Sequence, residues 1–246
     1  MSKRKMIISA DVLLGKTALV TGVNGGLGLA IAKELAGQGC NVIATSRNSS
    51  KLTESVSELK KSGVRVEAIP CDLSDKQAVM ALVMQAQQLF PQIDVLINCA
   101  GIFPVGPVAE ATMDDFELCF AVNVRAPFQL SKAFLPQMKA KSWGRIVNIG
   151  SSSAFNGFQD TAIYCASKHA LLGFSRSLYH EVRSHGVRVI SLNPGSIRTE
   201  MGKKVQGQSF ETFLDPVEVA QYAIFAISFD AELVSEEIRL NRLIMQ

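Results

Sequence analysis

Tyr164 and Lys168 lie four residues apart in a stretch of helical periodicity, so both side chains leave one face. A phenol with an ordinary pKa of about 10 exchanges protons poorly near neutrality. An ammonium held beside it favours the phenolate and lowers that pKa, as a general acid or base requires. An isolated Tyr-x-x-x-Lys is otherwise a surface pair. Ser151 lies thirteen residues before Tyr164, just past an apolar run at 145–149. A hydroxyl there can steady an oxygen that gains negative charge.

A second group of residues suits a phosphate. Thr21-Gly22-Val23-Asn24-Gly25-Gly26-Leu27-Gly28 follows an apolar run and opens a helical one. Glycines in such a turn permit a tight bend and close approach, and the N–H groups of the helix start hold the anion. The spacing is G-x3-G-x-G, which alone is also met in turns without a ligand. Ser46-Arg47 ends the second apolar run, about twenty residues past the glycines, where the adenosine ribose of a dinucleotide would lie. An acid there bonds a free 2′-hydroxyl. A short hydroxyl followed by a guanidinium suits a 2′-phosphate, so NADP(H) is expected over NAD(H). Arg47 is otherwise a solvated charge at a strand end. Asp72, with Leu73 beside it, is placed either to meet an adenine amino group or to cap the helix that follows.

The elements that position these groups alternate regularly. Near-continuous apolar runs at 16–21, 41–46, 64–71, 94–98, 145–149, 187–192 and 237–243 predict strands covered on both faces. Amphipathic patterns at 27–38, 52–62, 76–90, 116–141, 163–185 and 216–229 predict helices. Ser74 or Asp75 can cap the third helix, and Asp215-Pro216 is a cap with a first-turn proline. The alternation predicts one α/β domain, a doubly wound parallel sheet with helices on both faces, over residues 13–246. Residues 1–12, with Lys3, Arg4 and Lys5, are expected to be a flexible basic arm. Ligands bind beyond the carboxyl ends of such strands, where Gly22–Gly28, Asp72, Asn98–Gly101, Ser151 and Asn193–Thr199 all fall.

Composition narrows the class. Of the 246 residues 48% are hydrophobic and 19% charged, below the roughly 25% charge of an average domain. Such a chain can bury enough apolar surface to fold, which excludes disorder. A net charge of +3 leaves no electrostatic footprint for nucleic acid. The apolar stretches fall short of the roughly 18 residues of a spanning helix, so no membrane segment is expected and the cytoplasm is the expected location. Five cysteines, an odd number without a C-x-x-C pair, read as reduced and structural. His169, His180 and His185 lack ligand spacing, so no metal is expected.

Taken together, TGVNGGLG, Asn98-Cys99-Ala100-Gly101, Asn123 in VNV, Ser151, Tyr164-x-x-x-Lys168 and Asn193-Pro194-Gly195 resemble the short-chain dehydrogenase/reductase family, in the family's order and over about residues 12–246. The resemblance implies a single Rossmann-type domain that moves hydride between a nicotinamide and a carbonyl or alcohol. It assigns Asn123, Ser151, Tyr164 and Lys168 to catalysis. Asn123 then supports a water relay, and Lys168 also holds the ribose. Cofactor contacts are expected from Gly22, Asn24, Gly26, Leu27, Gly28, Ser46, Arg47, Asp72, Leu73, Asn98, Ala100, Gly101, Tyr164, Lys168, Pro194, Gly195, Ile197 and Thr199. The last two are placed near the nicotinamide carboxamide.

Cys99 replaces the family's second asparagine and removes one structural hydrogen bond. Asn24 stands where NADP-preferring members often carry a base. The ending EEIRLNRLIMQ is similar to a short-tailed branch acting on hydroxy-acid or other small carbonyl substrates. A 3-oxoacyl-[acyl-carrier-protein] reductase is an alternative, with Arg198, Lys203 and Lys204 attracting the acidic carrier; so is a dinucleotide sensor without turnover. A lid is expected at 200–214, with Gly202 and Gly207 allowing movement. The two longest helices carry apolar residues on more than one face: Phe128, Phe134 and Leu135, then Leu171, Leu172, Phe174 and Leu178. In the family these helices pair between subunits, so a homo-oligomer, dimer or tetramer, is expected.

Overall fold

Each strand sends successive side chains to opposite faces, and both sets here are apolar. In the computed structural model, which describes residues 11–243, helices therefore cover the sheet on both sides. The strands are β1 (Thr17–Thr21), β2 (Asn41–Thr45), β3 (Val66–Ala68), β4 (Val95–Asn98), β5 (Gly144–Ile149), β6 (Val187–Pro194) and β7 (Glu237–Leu240). All pair in parallel, in the order β3-β2-β1-β4-β5-β6-β7. The order reverses at β1, which pairs with both β2 and β4, and this Rossmann-like arrangement opens a crevice at its carboxyl end.

The helices are α1 (Gly26–Gly37), α2 (Ser49–Leu59), α3 (Lys76–Leu89), α4 (Met113–Phe120), α5 (Ala126–Ala140), α6 (Ala162–Val182) and α7 (Pro216–Ile227). One core layer joins Ala18, Val20, Val42, Val95 and Ile97 to Ile31 and Leu35 of α1, Leu52 and Val56 of α2, and Val219 and Ile224 of α7. The other joins Leu19, Ile43, Leu96 and Ile146 to Leu82 of α3, Leu130 and Phe134 of α5, and Leu178 of α6. Asp75 and Asp215 cap α3 and α7 as the sequence predicts, accepting from the N–H groups of Gln77 and Val217.

All seven strands stand where the apolar runs place them, with three changes at their ends and between them. β3 keeps three of the eight residues expected, because it is an edge strand and Pro70 has no N–H for a ladder. α2 starts at Ser49, ahead of the predicted start at 52, because Asn48 accepts from Lys51 N and caps it. The single helix expected over 116–141 starts at Met113 under a Thr112–Asp115 capping box and is interrupted at Ala121–Arg125 by a π-helical turn. Pro127 has no N–H to bond the carbonyl four residues back, that of Asn123, and the ladder shifts register there.

At the amino ends of the strands, Arg145 is 1% exposed. Its guanidinium bonds the carbonyls of Gly144, Ile227 and Phe229 and the Asp230 carboxylate, clamping the end of α7 to the sheet. The expected basic arm lies outside the described residues apart from 11 and 12, as do the last three of the chain. Among the described residues no helix is long and apolar enough to cross a membrane, and no cluster of three His, Cys, Asp or Glu could hold a metal. All five cysteines are free.

Candidate active site

A cavity of about 870 Å³ opens at the carboxyl ends of the strands. Its nucleotide end begins where β1 runs into α1. Gly25 caps α1 with no side-chain acceptor, so the first N–H groups of the helix are left for a ligand. Gly22 has φ 80°, and a Cβ there would stand 3.0 Å from Ala100 Cα; at Gly26 it would meet Thr199 Cγ2 at 3.0 Å. At Gly28 a Cβ would strike the Gly22 carbonyl, so helix and strand pack as closely as they do only because that residue has no side chain. Gly25 has nothing within 4 Å of where a Cβ would stand. Its open side is the cavity, which suits the close approach of a phosphate.

The Thr21 hydroxyl shapes the next strand end. It donates to Ile97 O at 3.3 Å and accepts from Cys99 N and Ala100 N, each at 3.0 Å. Ser46 is buried and Arg47 exposed; both line the cavity, with Lys51 from the first turn of α2. Asp72 accepts from the N–H and hydroxyl of Ser74, which together hold its carboxyl below the usual range, with a smaller pull from Arg47. Asp75, not Asp72, caps α3, so the Asp72 carboxylate turns a loop at the cavity wall.

The chemical end is built on α6. Tyr164 is buried, and the Phe103 ring meets its ring edge-on at 4.6 Å. Burial pushes the phenol up to about 12, while its hydrogen bond with Ser151 pulls the other way. Ser151 Oγ also accepts from Ser153 N at 3.1 Å. Lys168, likewise buried, donates to Ile149 O at 2.7 Å, with its ammonium 5.6 Å from the Tyr164 ring centroid. Burial brings Lys168 down to about 8. The net shift of the phenol is upward, because its burial outweighs the pull of Ser151, and Tyr164 keeps its proton through neutrality.

Of the expected site residues, all but Asn98 and Asn123 line this cavity. Those two stand behind its wall. Asn98 Nδ2 donates to Asn148 Oδ1 at 2.7 Å, and Asn148 Nδ2 to Ser175 Oγ at 2.9 Å, tying β4 and β5 to α6. The Asn123 amide accepts from Ile102 N at 2.9 Å and donates to Ile102 O at 3.0 Å and Ser167 Oγ at 3.0 Å. It thereby joins the loop after β4 to the helix that carries Tyr164.

The segment 200–214, expected to act as a lid, forms short 3-10 turns at Gly202–Lys204 and Phe210–Thr212. Gly202 is a packing glycine: a Cβ would strike the Ile197 carbonyl and stand 3.4 Å from the Phe213 ring. Gly207, at φ 69° with open space around it, suits a hinge. Arg198 pairs with Asp215 at 2.5 Å and Lys203 with Glu200 at 2.6 Å, which leaves Lys204 on the cavity side.

Sequence reasoning missed Lys51, Phe103, Val105, Phe158, Asp160 and Met201, all of which line the cavity. Lys51 had a signal, since the first turn of a helix that starts just after Arg47 lies beside that guanidinium. The others sit in loops without periodicity.

The family described as short chain dehydrogenase matches residues 16–209. An uncharacterized oxidoreductase of Staphylococcus saprophyticus is 33% identical over 231 residues, which are 93% of this chain and 98% of that protein. A blue fluorescent protein from a metagenomic library, solved with NADPH, is 34% identical with TM-score 0.85, covering 93% of this chain and 96% of that one. A xylitol dehydrogenase solved with NAD+ is 26% identical with TM-score 0.85, covering 94% and 98%.

Proposed function

The chain belongs to the short-chain dehydrogenase/reductase family and is an NAD(P)-dependent oxidoreductase, and from that premise we propose that it is an NADPH-preferring reductase of carbonyl compounds working through Ser151, Tyr164 and Lys168. The observation that carries this reading is the buried Tyr164 phenol, with Ser151 and Lys168, on a cavity whose other end is a glycine cradle. Turning C=O into CH–OH takes one hydride and one proton. A bound nicotinamide supplies the hydride.

Tyr164 holds the proton. Because burial keeps the phenol neutral, it acts as the acid, and its proton passes from Oη to the substrate oxygen. Ser151 Oγ donates to the same oxygen as charge builds on it. Lys168 keeps a positive charge near the ring, which stabilises the phenolate left after transfer, and it would also hold the ribose of a bound cofactor. Asn123 is a positioning residue through its grip on Ile102 and Ser167.

At the other end, the N–H groups opening α1 would hold a pyrophosphate, and Asp72 and Leu73, which line the cavity, would border the adenine. Arg47 and Lys51 suit the 2′-phosphate, with no acid at Ser46 to repel it. The neighbour solved with NADPH supports this choice, and the one solved with NAD+ makes it worth measuring. A carrier-linked substrate gains little support, since Arg198 and Lys203 already face carboxylates.

The test is Tyr164→Phe, which keeps the ring and removes the proton. Turnover is expected to fall by about 10²–10⁴ while NADPH still binds in a fluorescence titration. Activity within about tenfold of wild type would require another donor.

A further inference from the structure

Building on the reductase reading, we propose that the substrate is an uncharged aldehyde or ketone that carries an aromatic arm. The reacting carbonyl must sit against Tyr164 and Ser151, and the cavity around them brings four apolar side chains in among polar ones such as Gln159, Asp160 and Gln206. Phe103 and Val105 come from the loop after β4, Phe158 from the loop between β5 and α6, and Met201 from the lid after β6; all four line the cavity. Val105 is 39% exposed, Phe158 47% and Met201 36%. Single exposed apolar side chains are common, but here three strand ends deliver them to the lining of one cavity, where a ligand can cover them.

The wall is built rather than loose. Gly106 N donates to Asp160 O at 2.8 Å, joining the two loops. Thr161 Oγ1 donates to Phe158 O at 2.8 Å and closes the turn that presents the ring. Asp160 holds φ 58°, a left-handed conformation that aspartate tolerates better than most residues. The Asn123 amide fixes Ile102 beside Phe103. The Phe103 ring, held against Tyr164, and a Phe158 presented from a tied loop favour a flat partner, which meets them edge-on or offset.

Charge argues the same way. Asp160 stands in this wall and repels a carboxylate. The cation of the lid that faces the cavity, Lys204, is exposed on a short turn and makes no bidentate clamp for an acid. Arg47 and Lys51 belong to the nucleotide end. The hydroxy-acid preference implied by the short tail therefore has no fixed partner here. In the reduction, one proton and two electrons arrive as hydride at the carbonyl carbon, the Tyr164 proton goes to its oxygen, NADPH leaves as NADP+, and the phenolate takes a new proton from solvent.

The experiment follows NADPH and NADH oxidation by the full chain with acetophenone and benzaldehyde, set against propanal, acetoacetate and xylulose. The aryl compounds are expected to exceed the others in kcat/KM by about tenfold or more. Phe158→Ala, which truncates an exposed ring and so spares folding, is expected to shrink the ratio of benzaldehyde to propanal about tenfold, and Phe158→Leu to restore part of it. Preference for acetoacetate or xylulose, or a ratio unmoved by Phe158→Ala, overturns the aromatic substrate while leaving the reductase reading intact. Oxidation of neither cofactor with any compound, by protein shown to be folded, overturns the reductase reading and this inference with it.

Discussion

Replacing Lys168 by methionine is expected to stabilise the protein while ending its turnover. Burial holds the ammonium down to about 8 against an ordinary 10.5. One pKa unit corresponds to about 1.4 kcal/mol, so the charged side chain costs the fold about 3 kcal/mol at neutral pH. Methionine has nearly the same length and fills the space with apolar atoms. It also strips Ile149 O of its 2.7 Å donor. An orphaned buried carbonyl costs about 1–2 kcal/mol. The net gain is about 1–2 kcal/mol, which in a chain of this size raises Tm by roughly 2–6 °C.

The dependence on pH separates this account from a general gain in packing. Below about pH 8 the lysine is protonated in both folded and unfolded chains, and the penalty is complete. Between about 8 and 10.5 the folded protein releases the proton while the unfolded chain keeps it. The unfolded state then holds more protons, so wild-type stability rises with pH. At about pH 9.5 the penalty has fallen to about 1 kcal/mol, and the advantage of methionine vanishes. Thermal unfolding of both proteins by circular dichroism, at matched concentration from neutral pH upward, measures the difference and cancels the titrations they share. A variant less stable than wild type at neutral pH, or a difference that does not change with pH, would refute the reasoning.

Three further outcomes follow from other parts of the fold. Arg47→Ala is expected to lower kcat/KM for NADPH about tenfold and to leave NADH little changed, with a smaller loss for Lys51→Ala; a wild type that prefers NADH contradicts both. Arg145→Ala leaves the Ile227 carbonyl without its side-chain donor, while Phe229 O keeps Arg188, so urea unfolding should show a loss of about 1–3 kcal/mol. Asp230→Asn should cost less than about 1 kcal/mol, because that carboxylate is half exposed. Sedimentation should find a dimer or tetramer that Phe128→Asp with Phe174→Asp reduces in size, since these two rings meet 5.6 Å apart on an outer face where Phe128 is 49% exposed; a wild type sedimenting only at 26.6 kDa contradicts it.

The sheet was legible because each apolar run is buried on both faces, so Ala18–Val20 or Val95–Ile97 could belong to little else. The nucleotide end was legible for a related reason. Glycines are forced where a backbone must come close, as at Gly22 and Gly28, and a strand end leaves Arg47 few other places to be. What escaped depends on distance through space rather than along the chain. The π-helical turn is written in Pro127, but a proline near the middle of a long helical pattern signals a break without saying which kind. Gly202 reads as flexible in a string of letters and proves to be a contact with Ile197. The aromatic wall draws on loops about fifty and a hundred residues apart, each of which alone looks like an ordinary connection.

The proton of Tyr164 depends on burial as well as on spacing, with a consequence for the chemistry. Spacing places Lys168 near Tyr164, and proximity argues for a lowered phenol pKa. Spacing says nothing about burial, and burial acts on both groups at once, raising the phenol to about 12 and lowering the ammonium to about 8. Both values still lie above neutrality, so at neutral pH the phenol and the ammonium each hold a proton and the site readily accepts negative charge. Such a site is arranged to give a proton to an oxygen rather than to take one away. Reduction is the direction it favours near neutrality, and oxidation of an alcohol is expected to gain as the pH rises past 8, when Lys168 begins to release its proton. Forward and reverse rates with one aldehyde–alcohol pair, measured across that range, decide the matter: a reverse rate that falls as the pH rises would mean that the proton is handled by some other group than this pair.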